Sequence, residues 1–201
     1  MIKITKTKLL AYFAEKNKTQ SAAPAVKTSA ETTLTPAAVL IPIIDDEHEL
    51  LVLFTQRTEQ LSNHAGQISF PGGKMEAIDQ SLEETALRET AEEIGLAPNA
   101  IKLLGTCNPA GSSTGFLVTP FVGIITPPLQ LKIDPREVAS VFTAPLNFVL
   151  DPVHQQQQVI AYKGQQRNIM VIQYGEHRIW GLTAAILVNF GRDLQTTLNA
   201  V

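Results

Sequence analysis

The sequence predicts an α/β domain, and three observations carry that reading. Apolar, β-branched runs of strand length recur from residue 34 onward. A capped amphipathic helix is predicted at 81–94, between two groups of these runs. A second, more apolar helical stretch at 182–198 closes the chain, and no internal repeat interrupts the pattern.

Residues 6–15 place Leu9, Leu10 and Phe13 at helical spacing, which predicts a helix whose apolar side covers its own domain in preference to a partner. The stretch 16–33 is rich in Lys, Thr, Ser and Ala, contains Pro24 and reads as a linker. The expected division is therefore 1–33, N-terminal helix and linker, and 34–201, main domain. Residues 37–44 and 50–56 form a predicted hairpin across Asp45, Asp46, Glu47 and His48. Residues 68–70 read as a short strand, ended at Pro71-Gly72-Gly73 by a turn that needs unusual backbone angles. Further strands are expected at 101–107, 117–125, 158–162 and 169–174. Residues 134–138 read as a loop leading into another short strand, and the polar run 155–158 as a loop. Trp180, beside Gly181 and ahead of the closing helix, reads as core.

Composition narrows the class. With 201 residues the chain is about one domain, and 44% apolar with 17% charged residues is ordinary for a soluble globular protein. A net charge of −3 supplies no electrostatic footprint for a nucleic-acid backbone. Cys107 is the single cysteine, which excludes an internal disulfide and a zinc-cysteine cluster and suits a reducing compartment. No apolar run approaches bilayer-spanning length, and neither a signal peptide nor a peroxisomal address is recognisable, so the expectation is a cytoplasmic protein without a membrane partner.

The helix at 81–94 carries the chemistry. Ser81-Leu82-Glu83-Glu84 fits a capping box, and Gly95 supplies a left-handed stop. At about 100° per residue, Ala86, Leu87, Thr90, Ala91 and Ile94 gather on one side. Glu89, Glu92 and Glu93 group on what reads as the opposite side, where like charges three and four residues apart repel. Arg88 offsets part of that repulsion. A hard cation such as Mg²⁺ or Mn²⁺ reverses its sign, because carboxylate oxygens are its preferred ligands. By itself such a face is more often simply solvated. The Gly72-Gly73 turn just ahead of the helix strengthens the metal reading, because glycine lets backbone approach a ligand closely.

Gly73, Asp79 and the run Arg88-Glu89-Thr90-Ala91-Glu92-Glu93-Ile94-Gly95-Leu96 resemble the Nudix box, G-x5-E-x7-R-E-U-x-E-E-x-G-U with U aliphatic. Asp79 replaces the first Glu, eight residues instead of seven separate it from Arg88, and Thr90 fills an aliphatic position. The preceding run 53–73 resembles the coenzyme A pyrophosphatase branch, whose motif is L-L-T-x-R-S-x-x-L-R-x-H-x-G-x-V-x-F-P-G-G. Thr55, Arg57, Leu61, His64, Gly66 and Phe70 to Gly73 match it, Thr58 and Ile68 are mild changes, and Ser62 replaces an Arg. At lower specificity the likeness extends over roughly residues 35–195.

The resemblance implies a Nudix-like α/β/α sandwich with a mixed central sheet and the box as loop-helix-loop. It implies metal-dependent hydrolysis of the diphosphate of coenzyme A or its derivatives, giving 3′,5′-ADP and 4′-phosphopantetheine or its acyl form. Glu89, Glu92 and Glu93 are then the ligands of Mg²⁺ or Mn²⁺, and the Gly73 carbonyl could be a further one. Glu89 or another acid could instead act as general base, and Arg88 is expected to orient the glutamates more than to touch substrate. Arg57, His64, Gly72 and Gly73 are the expected substrate contacts, while His64 could equally hold the Gly66 turn. Glu137 resembles a family position that sometimes serves as base or extra ligand, though a strand-end acid is more often structural. The expected partner is a small nucleotide. A homodimer is compatible with the family, although no apolar stripe for one is identifiable. The alternatives are a Nudix hydrolase of ADP-ribose, NADH or a nucleoside triphosphate, and a non-catalytic Nudix binding module.

Overall fold

In the computed structural model, residues 3–20, 34–60, 64–162 and 164–199 are described. The expected linker beyond Gln20, and Leu61, Ser62 and Asn63 of the pre-box run, lie outside them.

The elements follow in order: α1 (Lys6–Gln20), β1 (Thr35–Asp45), β2 (Leu50–Arg57), β3 (Ile68–Ser69), β4 (Gly72–Lys74), α2 (Leu82–Ile94), β5 (Ile101–Thr106), β6 (Ala110–Gly111) and β7 (Phe116–Ile125). After them come β8 (Val138–Pro145), the short α3 (Leu146–Val149), β9 (Gln155–Tyr162), β10 (Gln165–Tyr174), β11 (His177–Trp180) and α4 (Gly181–Asn199). The main sheet runs β3-β2-β1-β7-β5, with β4 on β1, β6 on β7 and β8 on β2. Its β1–β7 pair is parallel and its other pairs antiparallel, so the sheet is mixed, as expected. A second sheet, β11-β10-β9, is antiparallel.

Strand β1 shows why this sheet is covered twice. Its residues are apolar almost without interruption, the signature of a strand buried on both faces. Ala38, Leu40 and Ile44 join Ala86 and Ile94 of α2 in one cluster. Ala37, Ile41 and Ile43 join Leu9 and Phe13 of α1 and Leu187, Phe190 and Leu194 of α4 in the other. Helix, sheet and helices therefore form the α/β/α layering. Among the described residues, no helix is long and apolar enough to cross a membrane.

The N-terminal helix covers its own chain, as its spacing predicts. It also continues to Gln20, through residues read as the start of the linker. Contacts that composition does not reveal hold this last part: Asn17 Nδ2 donates to the Leu104 carbonyl at 2.8 Å, and within the helix Lys16 lies 5.6 Å from the Tyr12 ring centre. Ahead of the helix, Ile4 and the Asn147 amide exchange two hydrogen bonds, and Lys6 pairs with Asp45. Phe13 is fully buried, with its ring 6.0 Å from that of Phe190. Phe13→Ala should therefore cost about 3–5 kcal/mol and lower the melting temperature by roughly 10 °C. A loss under about 2 °C in a thermal melt would show that α1 is not part of the core.

Two other expectations need correction. Residues 155–158 are not a loop but the first half of β9, held by eight register pairs to β10. Trp180 is only half-buried, at the end of β11, with the Arg178 guanidinium 5.4 Å from its ring centre.

Candidate active site

Helix α2 is fixed at both ends by local chemistry. The Ser81 hydroxyl accepts from Glu84 N at 3.2 Å, while Glu84 reaches back to accept from Gln80 N at 2.7 Å. Gly95 takes φ 71°, and an added Cβ would come within 2.8 Å of Lys132.

The helix presents its acids differently from the sequence expectation. Glu93 is not on a solvent face opposite Ala86; it is 3% exposed and belongs to the buried face with Thr85, Ala86, Thr90 and Ile94. The Glu89 side chain is 15% exposed, whereas that of Glu92 is 61% exposed. The acids thus run from buried to open across the side of the helix that meets β4.

The two glycines make this approach possible, and they do so within a strand as well as a turn. Gly73 and Gly72 pair with Ala38 and Val39 of β1. Gly72 holds φ 152°, and a Cβ there would lie 2.3 Å from the Ala38 carbonyl oxygen. A Cβ on Gly73 would lie 2.4 Å from Glu89 Oε1, so the Glu89 carboxylate occupies the space that a side chain at 73 would need.

Arg88 and Asp79 form the frame. Arg88 Nε donates to Asp79 Oδ1 at 2.9 Å and Nη2 to Oδ2 at 3.0 Å. Arg88 Nη1 reaches Glu92 Oε2 at 2.9 Å and Glu89 Oε1 at 3.0 Å. Asp79 also accepts from Thr85 Oγ1 at 3.0 Å and from Glu76 N at 2.8 Å. The Arg88 bonds, then the Glu76 amide, hold the Asp79 carboxyl well below the usual carboxylate range. The shorter Asp and the extra residue ahead of Arg88 are therefore compatible with a fork-to-fork ion pair.

Burial dominates the other two acids. It pushes the Glu93 carboxyl up to about 8, opposed by the charge of Arg57, with the nearby Glu89 and Glu137 adding to the rise. Burial raises Glu89 as well, against the pull of Arg88. Arg57, the last residue of β2, has a buried Nε without a hydrogen-bond partner. A buried donor of this kind costs free energy until an acceptor reaches it. His64, at φ 58°, is exposed, and its Nδ1 bonds Gln67 Oε1 at 2.9 Å while its carbonyl accepts from Gln67 N. The fold thus brings together Glu89, Glu93, Arg57, Arg88, Gly72 and Gly73, with Glu92 at the open edge and His64 on the loop turn.

Sequence reasoning gave no role to the hydroxyls around this frame. Thr55 Oγ1 bonds Ser69 across β2 and β3, Thr58 Oγ1 donates to the Arg136 carbonyl, and Thr183 Oγ1 donates to the Ile68 carbonyl. Thr55, Thr58 and Ser69 lie within the matched run 53–73, whereas Thr183 lies only in the weaker likeness that extends to about residue 195.

The donor set suits a hard divalent cation: carboxylate oxygens only, two of them desolvated, with one arginine balancing the outer pair. Among the described residues, no three His, Cys, Asp or Glu side chains are already gathered as a cage. Arg88 Nη1 already bridges Glu89 and Glu92 and holds the two carboxylates side by side.

Comparisons with known proteins follow the same residues. The model of the NUDIX domain matches residues 34–163. An uncharacterized Nudix hydrolase NudL from Photorhabdus laumondii subsp. laumondii is 41% identical over 159 residues, covering 79% of this chain and 84% of that protein. The Citrobacter koseri protein of that name is 41% identical over 151 residues, covering 75% and 78%. Among solved structures, an Ap4A hydrolase binary complex from C. elegans aligns at 16% identity with a TM-score of 0.49, covering 55% of this chain and 80% of that one.

Proposed function

This chain belongs to the Nudix family, and on that premise we propose that it hydrolyses the diphosphate bond of coenzyme A or its acyl derivatives. The products are 3′,5′-ADP and 4′-phosphopantetheine or its acyl form. One observation supports the reading most: Arg57, from the run ahead of the box, sits in charge contact with buried Glu93 and has a buried, unpartnered donor. A diphosphate oxygen is an acceptor of the right charge for it. The residues 53–73 that resemble the coenzyme A branch supply most of β2, which ends at Arg57, all of β3, and the start of β4, which packs against α2.

In this reading Glu89, Glu92 and Glu93 hold Mg²⁺ or Mn²⁺, and the Gly73 carbonyl is a further ligand. The cation, when bound, neutralises the diphosphate and acidifies the attacking water. Arg88 keeps Glu89 and Glu92 aligned through its anchor on Asp79. Gly72 and Gly73 let the β4 backbone lie against β1 and the Glu89 carboxylate, and these glycines and His64 are substrate contacts in this reading.

The test is incubation with Mg²⁺ or Mn²⁺ and a panel of coenzyme A, acetyl-coenzyme A, NADH, ADP-ribose and nucleoside triphosphates, with products identified by mass. Coenzyme A should give the highest kcat/KM, with 3′,5′-ADP released. Faster turnover of ADP-ribose would overturn the substrate, and no turnover of any diphosphate would overturn the enzyme.

A further inference from the structure

We propose that Thr58 is a positioning residue, whose hydroxyl and backbone hold Arg136 and Glu137 so that Glu137 stays beside Glu89 and Glu93; this rests on the hydrolase reading above. Thr58 directly follows Arg57, is 8% exposed, and carries a hydroxyl that the core would not otherwise favour. Every polar group it has is used to join two loops. Its N–H donates to the Glu137 carbonyl at 3.0 Å, and its Oγ1 donates to the Arg136 carbonyl at 3.2 Å. Its own carbonyl accepts from Gly66 N at 3.4 Å, which ties in the His64 turn.

The loop it holds is anchored at its other end on the metal helix. Lys132 N donates to the Ile94 carbonyl and Asp134 N to the Glu93 carbonyl, at 2.8 and 2.9 Å. Glu137 N then closes on the Asp134 carbonyl at 3.2 Å. Glu137 is exposed at this point, and its charge acts on both Glu89 and Glu93. The neighbouring cation, Arg136, is held by Asp134 through its guanidinium. Without the Thr58 hydroxyl the segment between Asp134 and Val138 keeps one bond to Thr58 instead of two.

The effect belongs to Glu137 and not to folding, which a set of variants separates. Thr58→Val keeps the shape and the backbone bonds but loses the hydroxyl; Thr58→Ser keeps the hydroxyl. Mn²⁺ affinity of the free protein, read by electron paramagnetic resonance, and steady-state kinetics are measured for both, and again in a Glu137→Gln background. Thr58→Val should weaken Mn²⁺ binding and lower kcat by about tenfold each, the range for groups that orient ligands, with KM within about twofold. Thr58→Ser should behave as wild type. With Glu137 already changed to Gln, Thr58→Val should add less than about twofold. Equal damage from Ser and Val, no effect of Val, or the full loss recurring in the Glu137→Gln background would overturn the proposal. If the wild type turns over no diphosphate, the hydrolase reading fails, and the Mn²⁺ comparison alone still decides the role of Thr58.

Discussion

Glu93→Gln is expected to lower kcat by on the order of 10³-fold, the loss of several kcal/mol of transition-state stabilisation, while the metal-free protein melts no lower than wild type. The two halves have one cause. Glu93 is 3% exposed, and burial raises its carboxyl from 4.5 to about 8. Between those values the folded protein keeps a proton that the unfolded chain releases, so wild-type stability declines as pH rises through the window. Glutamine has the same shape and no such decline. The advantage of the variant should therefore be small near pH 5 and largest above pH 8, read as melting temperature in the presence of chelator. Retained activity would remove Glu93 from the metal site, and a pH-independent difference in melting would remove the buried charge as its cause.

The two neighbouring glycines should fail in different ways. Gly72→Ala puts a Cβ 2.3 Å from a backbone carbonyl of β1 at φ 152°, where neither atom has room to yield. A loss of about 2–3 kcal/mol or more is expected, from strain and displaced β1–β4 pairing. Gly73→Ala meets only the end of the Glu89 side chain, at 2.4 Å. That carboxylate can swing aside, so stability should change by less than about 1 kcal/mol. Activity should still fall by roughly 10²-fold, because displacement of a catalytic group by about 1 Å has that effect. Denaturant melts and kcat measured on the two variants decide the matter. A Gly73→Ala protein with full activity would separate Glu89 from the chemistry.

These variants also show which parts of the fold were legible in advance. The capped helix was readable because Ser81, Glu84 and Gly95 act within one turn of chain, and the hairpin 37–56 because its apolar runs and turn are local. The box register located Gly73, Arg88 and the glutamates for the same reason. Glu93 defeats the pattern because its polarity says nothing of its direction on the helix. Seven residues after Ala86, it lies only roughly 20° from the Ala86 line, and the charge of Arg57 and then a backbone bond from Gly72 offset the burial of an acid there. Residues 155–158 hid as a strand because four glutamines carry no apolar alternation; pairing with β10, and bonds from Gln155 to the Val149 carbonyl and from Arg178 to Gln158, hold them extended. The Thr58 link to Arg136 spans 78 positions, and no local pattern encodes such a contact.

The packing of α1 against α4 bears on the order in which the chain is made. Phe13 leaves the ribosome early, but its partner Phe190 arrives only when residues 181–199 are complete. Until then α1 has the sheet to pack on, through Asn17 on Leu104 and Phe13 against Gly105, while Leu9, Tyr12 and Phe13 lack their α4 neighbours. The helix nearest the end of the sequence thus covers the one nearest its start, a non-local contact of the kind that chains close slowly.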